Sequence, residues 1–498
     1  MKRNRYFLMV SLLMTGCFTA CTDLATNEVD SKVEAQLSQG AGTIDPKEGL
    51  IAAYKDLSAY TDQANVYSLF EHTTDELIPP TRGVDWSDNG VWRSLYTHTW
   101  DPTHSYVLGA WNQIHERAFK ATQILGSNPS AAQAAEAKFL RAFHMWLAMD
   151  LFGQVPFREI TEGVDVNPRV LTRSEAFDFI VKDLTEALPV LDATGPKATN
   201  SKATQAAANA LLARLYLNKA VYKSATPEGP YTFDAADMTK VVQYCDAVTA
   251  AGYKLEGEYF KNFSKFAATE VIFTTAEGTP QNRWFMTLHY NQNPSGWNGF
   301  TTLADFYDKF EDGDMRKGVP PTHDGSSFSG IGRGFLIGNQ VHDDGTPLID
   351  TRTQRQLSFT RDVTLSGAAT DKGIRVIKYH PSDNGQYIFL RYADVYLMKA
   401  EAIMRGGTGD MSALDMVNTL RAARGASPLA SLTPEAMLDE RGRELYWEGI
   451  RRVDQIRFGT FNMTWSEKDN QETFRVLYPI PQQALDSNPN LQPNPGYK

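Results

Sequence analysis

The sequence predicts a mainly α fold, a helix-pair superhelical scaffold with a large irregular, loop-rich insertion that contains minor β structure. Two observations predict it. Apolar residues recur at helical spacing through the first half of the chain and again from Arg391 onward, and the segments fall into pairs joined by short links, the pattern of tetratricopeptide-like superhelices. Between Gly252 and Gly385 that periodicity fades, and Gly, Pro, Asn and Asp multiply around short β-like runs. No strict repeat period accompanies the helices, so the spacing supports pairing and no more.

Residues 1–20 read as an export leader. Lys2, Arg3 and Arg5 form its positive end, Tyr6 to Met14 a short apolar run, and small residues lead to Cys21. The run is too short to span a bilayer as a stable helix. Two segments resemble a lipobox, Met14-Thr15-Gly16-Cys17 and Phe18-Thr19-Ala20-Cys21, the alternative being a plain secretory leader with incidental cysteines. An acylated cysteine hangs a protein from a membrane by its lipid chains. Residues 21–42 are polar and read as a flexible tether.

Residues 43–251 form the first helical part. Ile44 to Thr61 places Leu50, Ala53, Tyr54 and Leu57 on one face, and Tyr67 to Asp75 extends it. A turn-rich loop is expected from Pro79 to Ser94, holding Trp86 and Trp92 beside Arg, Asp and Asn. Helices follow at Tyr106 to Leu125 and Ala131 to Phe152, the second with Phe139, Phe143, Trp146 and Leu147 in one stripe. Arg173 to Leu191 opens on Thr172 with Glu175 three residues on, a capping box. Lys202 to Ala220 and Ala235 to Ala251 complete this part. Cys245, on the last of these, reads as a small buried hydrophobe.

Residues 252–390 are too long for an idle connection and are expected to carry function. Val271 to Thr275 and Ile374 to Tyr379 are their β-like runs. Catalytic motifs are lacking: there is no His-Glu-x-x-His, no Gly-x-Ser-x-Gly and no P-loop. Asp312-Gly313-Asp314 and Asp343-Asp344-Gly345 look like fragments of calcium loops without the closing glutamate. No metal and no cofactor is expected. The formal charge of −10 argues against nucleic acid as a partner and fits a neutral ligand or a protein.

Aromatic residues outside the helices are the chemical signal. Trp111, Trp146 and Trp447 lie on helical stripes and read as core, whereas Trp86, Trp92, Trp284 and Trp297 lie in turn-rich segments with Asn, Asp, Arg or Gln nearby. An exposed ring flanked by such side chains suits a neutral sugar, whose C–H face packs on the ring while its hydroxyls find polar partners. Trp86 and Trp297 are the first candidates for glycan binding, with Trp92, Trp284 and Tyr290 behind them. Packing of each ring onto the core is the competing reading.

Residues 391–498 hold the densest pattern. Arg391-Tyr392-Ala393-Asp394-Val395-Tyr396-Leu397-Met398-Lys399-Ala400-Glu401-Ala402 is followed, after the Gly406-Gly407 turn and a helix from Ser412 to Arg424, by Glu440-Arg441-Gly442-Arg443-Glu444-Leu445-Tyr446-Trp447-Glu448-Gly449-Ile450-Arg451-Arg452-Val453-Asp454. Their charges are either a solvated helix face or a set of buried pairs. Both segments resemble the signature of the SusD/RagB family of outer-membrane lipoproteins. So do Glu136 to Phe143, running on to Phe152-Gly153-Gln154-Val155-Pro156, and the Pro-rich tail from Pro479 to Tyr497, expected to wrap the surface.

The resemblance implies a scaffold of four repeat pairs and a lipid anchor, palmitate included, on Cys21, because Cys21-Thr22-Asp23-Leu24 is similar to the family's mature start. It implies a cell-surface, outer-membrane protein that captures oligosaccharide for a SusC-like, TonB-dependent transporter without breaking a bond. The family's motifs do not include its ligand residues. A peptide- or protein-binding role in the same system is the alternative, since helix-pair superhelices commonly grip peptides.

Overall fold

The structure, a computed structural model, describes residues 44–163, 165–277 and 282–497. The leader and the whole tether, Cys21 included, lie outside the described residues.

Local sequence starts and stops the helices where it should. Helix α1 (Pro46–Asp56) begins on the Asp45 cap with proline at its first position. After α2 (Asn65–Glu71) and α3 (Val91–Tyr96) come two long helices, α4 (Ser105–Gly126) and α5 (Ala131–Phe152). The second opens on a Ser130–Gln133 capping box and stops at Gly153, whose φ of 72° closes the last turn. The Thr172–Glu175 box opens α6 (Arg173–Ala187); α7 (Gln205–Leu217) and α8 (Ala235–Ala250) start on Thr204 and Asp234. Helix α4 packs on α5, α5 on α6, and α7 on α8, which also receives α9 (Tyr392–Met404). Alanines 206–208, 210 and 213 are buried along α7, so short side chains let its neighbours close on it. This is a mainly helical architecture of paired helices.

The insertion centres on a second core, in which its Phe260, Phe263, Phe306, Phe310 and Phe335 join Tyr446 of the signature segment. Its strands are short. The first, β1 (Val271–Thr274), pairs antiparallel with the last, β7 (Ile388–Arg391), and so ties the two ends of the insertion together. Between them β2 (Gly318–Val319), β3 (Arg333–Leu336) and β6 (Arg375–Ile377) form an antiparallel sheet with β3 in the middle, and β4 (Ile349–Asp350) makes a hairpin with β5 (Arg355–Gln356).

The signature charges are buried pairs. Arg391 donates to Glu444 at 2.9 Å, to Glu270 at 3.0 Å and to both oxygens of Glu448 at 2.7 and 2.8 Å. Arg424 binds the same Glu444 and Glu270, and Arg316 joins Glu444 to Glu440 and Asp314. Burial alone would raise Glu401, Asp394 and Glu440, but their arginine partners outweigh it and hold each at about 2. Arg391 sits on β7, Asp394 and Glu401 on α9, Arg424 caps α10 (Ala413–Ala423), and Glu440 and Glu444 sit on α11 (Pro434–Leu445), while Glu270, Asp314 and Arg316 come from the insertion. Removed from solvent, they join the scaffold to the insertion.

Three expectations are corrected. The stretch read as loop up to Ser94 becomes helix at Val91, because Trp92, Leu95 and Tyr96 share a buried face. The helical stripe expected at Trp447 is not one helix: the chain leaves α11 at Tyr446, Trp447 and Gly449 take φ values of 57° and 70°, and α12 starts at Arg451 (Arg451–Phe458). Trp447 is nonetheless core. The tail does more than wrap the surface, since Tyr478 and Ile480 are buried and the Tyr478 hydroxyl donates to the Leu69 carbonyl at 2.6 Å. Cys245 is buried, as its place on the helix predicted.

Candidate glycan-binding platform

Two distant loops meet at an aromatic surface. The first, residues 79–90, turns sharply: Gly83, Trp86, Asp88, Asn89 and Gly90 all have positive φ, and Arg82 and Asp85 exchange backbone hydrogen bonds at 3.0 and 3.2 Å across the turn. The second runs from Trp284 to Phe300. The Trp86 indole N–H donates to the Trp297 carbonyl at 2.9 Å, and its ring packs on Phe300 with centroids 4.7 Å apart. A Cβ on Gly299 would lie 2.5 Å from that ring, so glycine is required for the indole to settle there. Trp297 is 42 % exposed and stacks on Phe285 at 5.7 Å and 14°. The two tryptophan rings lie 6.4 Å apart and 45° to one another.

Arginines fix the loops from below. Arg82 donates to the carbonyls of Asn298 (2.7 Å), Lys372 (2.8 Å) and Ala369. Arg375 donates to Thr370 O and to the Asn298 side-chain oxygen, both at 2.7 Å. Both guanidiniums are buried on carbonyl oxygens, and burial pushes Arg82 down to about 10. The platform is therefore held in shape by hydrogen bonds on both sides of Trp297.

Of the five candidate residues, the structure brings Trp86, Trp297 and Tyr290 to the surface. Trp86 is half-buried; Tyr290 is half-buried and donates its hydroxyl to Asp85 at 2.6 Å. Trp92 and Trp284 present no ring face to a ligand. Trp92 is 2 % exposed, wedged among Trp86, Tyr106 and Phe300, with its N–H on Asp88 at 2.6 Å. Trp284 is 7 % exposed and lies against Phe285. Both belong to the support beneath the platform, because helix α3 and the turn at Trp284 point them inward.

Sequence reasoning missed Phe285, Phe300 and Arg352. The Arg352 guanidinium covers the Tyr290 ring at 4.4 Å and reaches to 3.9 Å from Asp85. Asp85 announced itself only by adjacency to Trp86; nothing in the sequence brings Arg352, on the β4–β5 turn, to this place.

The aspartates that looked like calcium-loop fragments have protein partners. Asp343 accepts from the backbone of Gly330 at 2.9 Å and from the Asn293 amide at 2.8 Å, and Asp314 is paired with Arg316. Among the described residues no group of three or more His, Cys, Asp or Glu is placed to hold a metal ion, and no helix is long and apolar enough to cross a membrane.

Two family models match, one described as the SusD family over residues 269–497 and one as "Starch-binding associating with outer membrane" over residues 30–217. The chain is 27 % identical to the starch-binding protein SusD of Bacteroides thetaiotaomicron, covering 98 % of each. The chain belongs to the SusD-like family. It is also 24 % identical to SusD-like protein P2 of Formosa agariphila over 99 % of both chains. Among solved structures, this SusD-like chain superposes on a laminarin-binding SusD-like protein with a TM-score of 0.68 at 22 % identity, covering 91 % of this chain and 99 % of that one. It superposes on surface glycan-binding protein A of Bacteroides thetaiotaomicron, solved with laminarihexaose, with a TM-score of 0.66 at 18 % identity, covering 90 % and 98 %. The SusD-like fold here is the paired-helix scaffold with its insertion, and the platform lies where the insertion meets the loop after α2.

Proposed function

We propose that this SusD-like protein is a cell-surface glycan-binding lipoprotein that captures oligosaccharide on the Trp86–Trp297 platform and delivers it to a SusC-like, TonB-dependent transporter. The observation that carries the reading is the Trp297 ring, 42 % exposed, backed by Phe285 and fixed to Trp86, whose chain neighbour Asp85 meets Arg352 at Tyr290. A sugar's C–H face packs on such rings, and its hydroxyls exchange water for the polar rim at little net cost, so binding is weak and reversible. Relatives named for binding starch and laminarin support the glycan class. Cys21 supplies the lipid anchor to the outer membrane, and the protein binds without cleaving.

The test is affinity electrophoresis of the mature domain in gels containing starch, laminarin and other polysaccharides, with peptides assayed alongside by calorimetry. Retardation by a glycan, lost in Trp297→Ala and without release of reducing sugar, is the expected result. Binding of peptides alone moves the protein to the peptide-binding class, and sugar release makes it a hydrolase.

A further inference from the structure

Three separate segments converge on Tyr290. Its hydroxyl donates to Asp85 Oδ2 from the first loop, its ring is covered by Arg352 from the β4–β5 turn, and the tyrosine itself belongs to the second loop. The Arg352 and Asp85 side chains stay accessible, at 57 % and 39 % exposure, with 3.9 Å between Arg352 Nη1 and Asp85 Oδ2. Among the described residues, the guanidinium donates to no protein acceptor within hydrogen-bond distance, and Asp85 Oδ1 accepts from no protein donor. Every other arginine at the platform is spent: Arg82 and Arg375 are committed to carbonyls beneath it.

We infer that Asp85 and Arg352 are the specificity-determining pair of the site, reading two adjacent free hydroxyls of a neutral sugar stacked on the tryptophans. This deepens the glycan reading and rests on it. The chemistry is complementary. One hydroxyl donates to Asp85 Oδ1, and the neighbouring oxygen accepts from the Arg352 guanidinium, a charge-assisted pair on each side. The pair carries no net charge, so a uronate or sulfate gains nothing from Arg352 that it does not lose to Asp85. A methylated or acylated hydroxyl cannot donate to the carboxylate and leaves it unpaired, and discrimination of this kind is large where a site is built to bond a hydroxyl.

The experiment compares wild type, Asp85→Asn, Arg352→Gln, Arg352→Lys and Trp297→Ala in affinity gels of native laminarin and starch, their O-methylated forms, and polygalacturonate, with melting temperatures taken in parallel. Wild type is expected to prefer the native neutral glucan it binds over its methylated form by about tenfold or more, the scale of one charge-assisted hydrogen bond. Arg352→Gln and Asp85→Asn should lose that preference while melting like wild type. Arg352→Lys, which keeps the charge but not the planar fork, should fall between. The inference is overturned, with the glycan reading intact, when Trp297→Ala abolishes binding but the Asp85 and Arg352 variants keep both affinity and preference. It is overturned equally by tighter binding of polygalacturonate than of either neutral glucan. If wild type binds none of these polysaccharides, the glycan reading itself fails and takes this inference with it.

Discussion

The Trp86 indole donates to the Trp297 carbonyl at 2.9 Å, joining two loops that lie 211 residues apart in the chain. One hydrogen bond thus sets the spacing of the two rings, and the two residues should answer differently to truncation. Trp297→Ala removes a partly exposed ring and should weaken glycan binding about tenfold or more with little change in melting temperature. Trp86→Ala should weaken binding as well and also cost about 1–3 kcal/mol, since its ring packs on Phe300 and Trp92. Calorimetry and thermal melts of both variants check this; early unfolding of Trp297→Ala contradicts it.

Trp92 is support. Its replacement by alanine empties a buried, hydrogen-bonded position and should destabilise by about 3–5 kcal/mol. Denaturant titration measures the loss, and a stability equal to wild type with reduced glycan affinity would make Trp92 a contact residue after all.

Arg391 is enclosed by Glu270, Glu444 and Glu448. Arg391→Ala leaves these carboxylates buried and short of a partner, with an expected loss of about 3–5 kcal/mol. Glu448→Ala should also destabilise, because it strips Arg391 and Lys378 of a shared partner. An unchanged melting temperature in both would mean the network is dispensable.

Glu71 and Glu76 are buried side by side. Glu71 accepts from the Gly449 N–H at 2.9 Å and Glu76 from the Trp447 N–H at 3.0 Å, so both hold the reversal between α11 and α12. Burial raises Glu71 to about 7 against the pull of Arg283 and Lys378; burial and then the Glu71 charge raise Glu76 well above the ordinary value, with Asp75 pushing the same way and Arg451 opposing. Carboxyls raised on folding stabilise fully below their unfolded pKa of about 4.3, and that contribution is lost as pH rises through the folded value. The melting temperature should therefore carry a falling component between about pH 5 and pH 8. Glu76→Gln, whose amide donates to Glu71 without titrating, should flatten it. The arginine-paired Asp394, Glu401 and Glu440 act oppositely, losing their contribution as pH falls from about 4 toward 2. Equal pH profiles for wild type and Glu76→Gln would exclude Glu76 as a source of the fall.

Cys21→Ala should release the protein from membranes and abolish palmitate labelling. Labelling that persists in this variant and vanishes in Cys17→Ala would place the anchor at Cys17.

Much of the scaffold was legible because its signals are local. The Thr172–Glu175 box and the stripe around Trp146 each announce a helix within a few residues. What was not legible depends on pairs distant in sequence. Whether Arg391 and Glu444 are solvated or buried is decided by Glu270 and Arg424, which no periodicity links to them. Trp447 reads as a helical residue by spacing, yet its N–H bonds Glu76 and that of Gly449 bonds Glu71, which holds the chain in a reversal. The platform was half legible. Turn-rich surroundings singled out Trp86 and Trp297, but the same signal swept in Trp92 and Trp284, whose inward orientation comes from a short helix and a turn. Arg352 could not be found, because only the fold carries it to Tyr290.

The most direct test of the account is affinity electrophoresis of the mature domain, wild type against Trp297→Ala, across a polysaccharide panel. At least one neutral glycan should retard the wild type, Trp297→Ala should run as it does in a blank gel, and both should melt at similar temperatures. Retardation that is equal for the two proteins would contradict the platform as the binding site, and no retardation of the wild type by any glycan would contradict the glycan function itself.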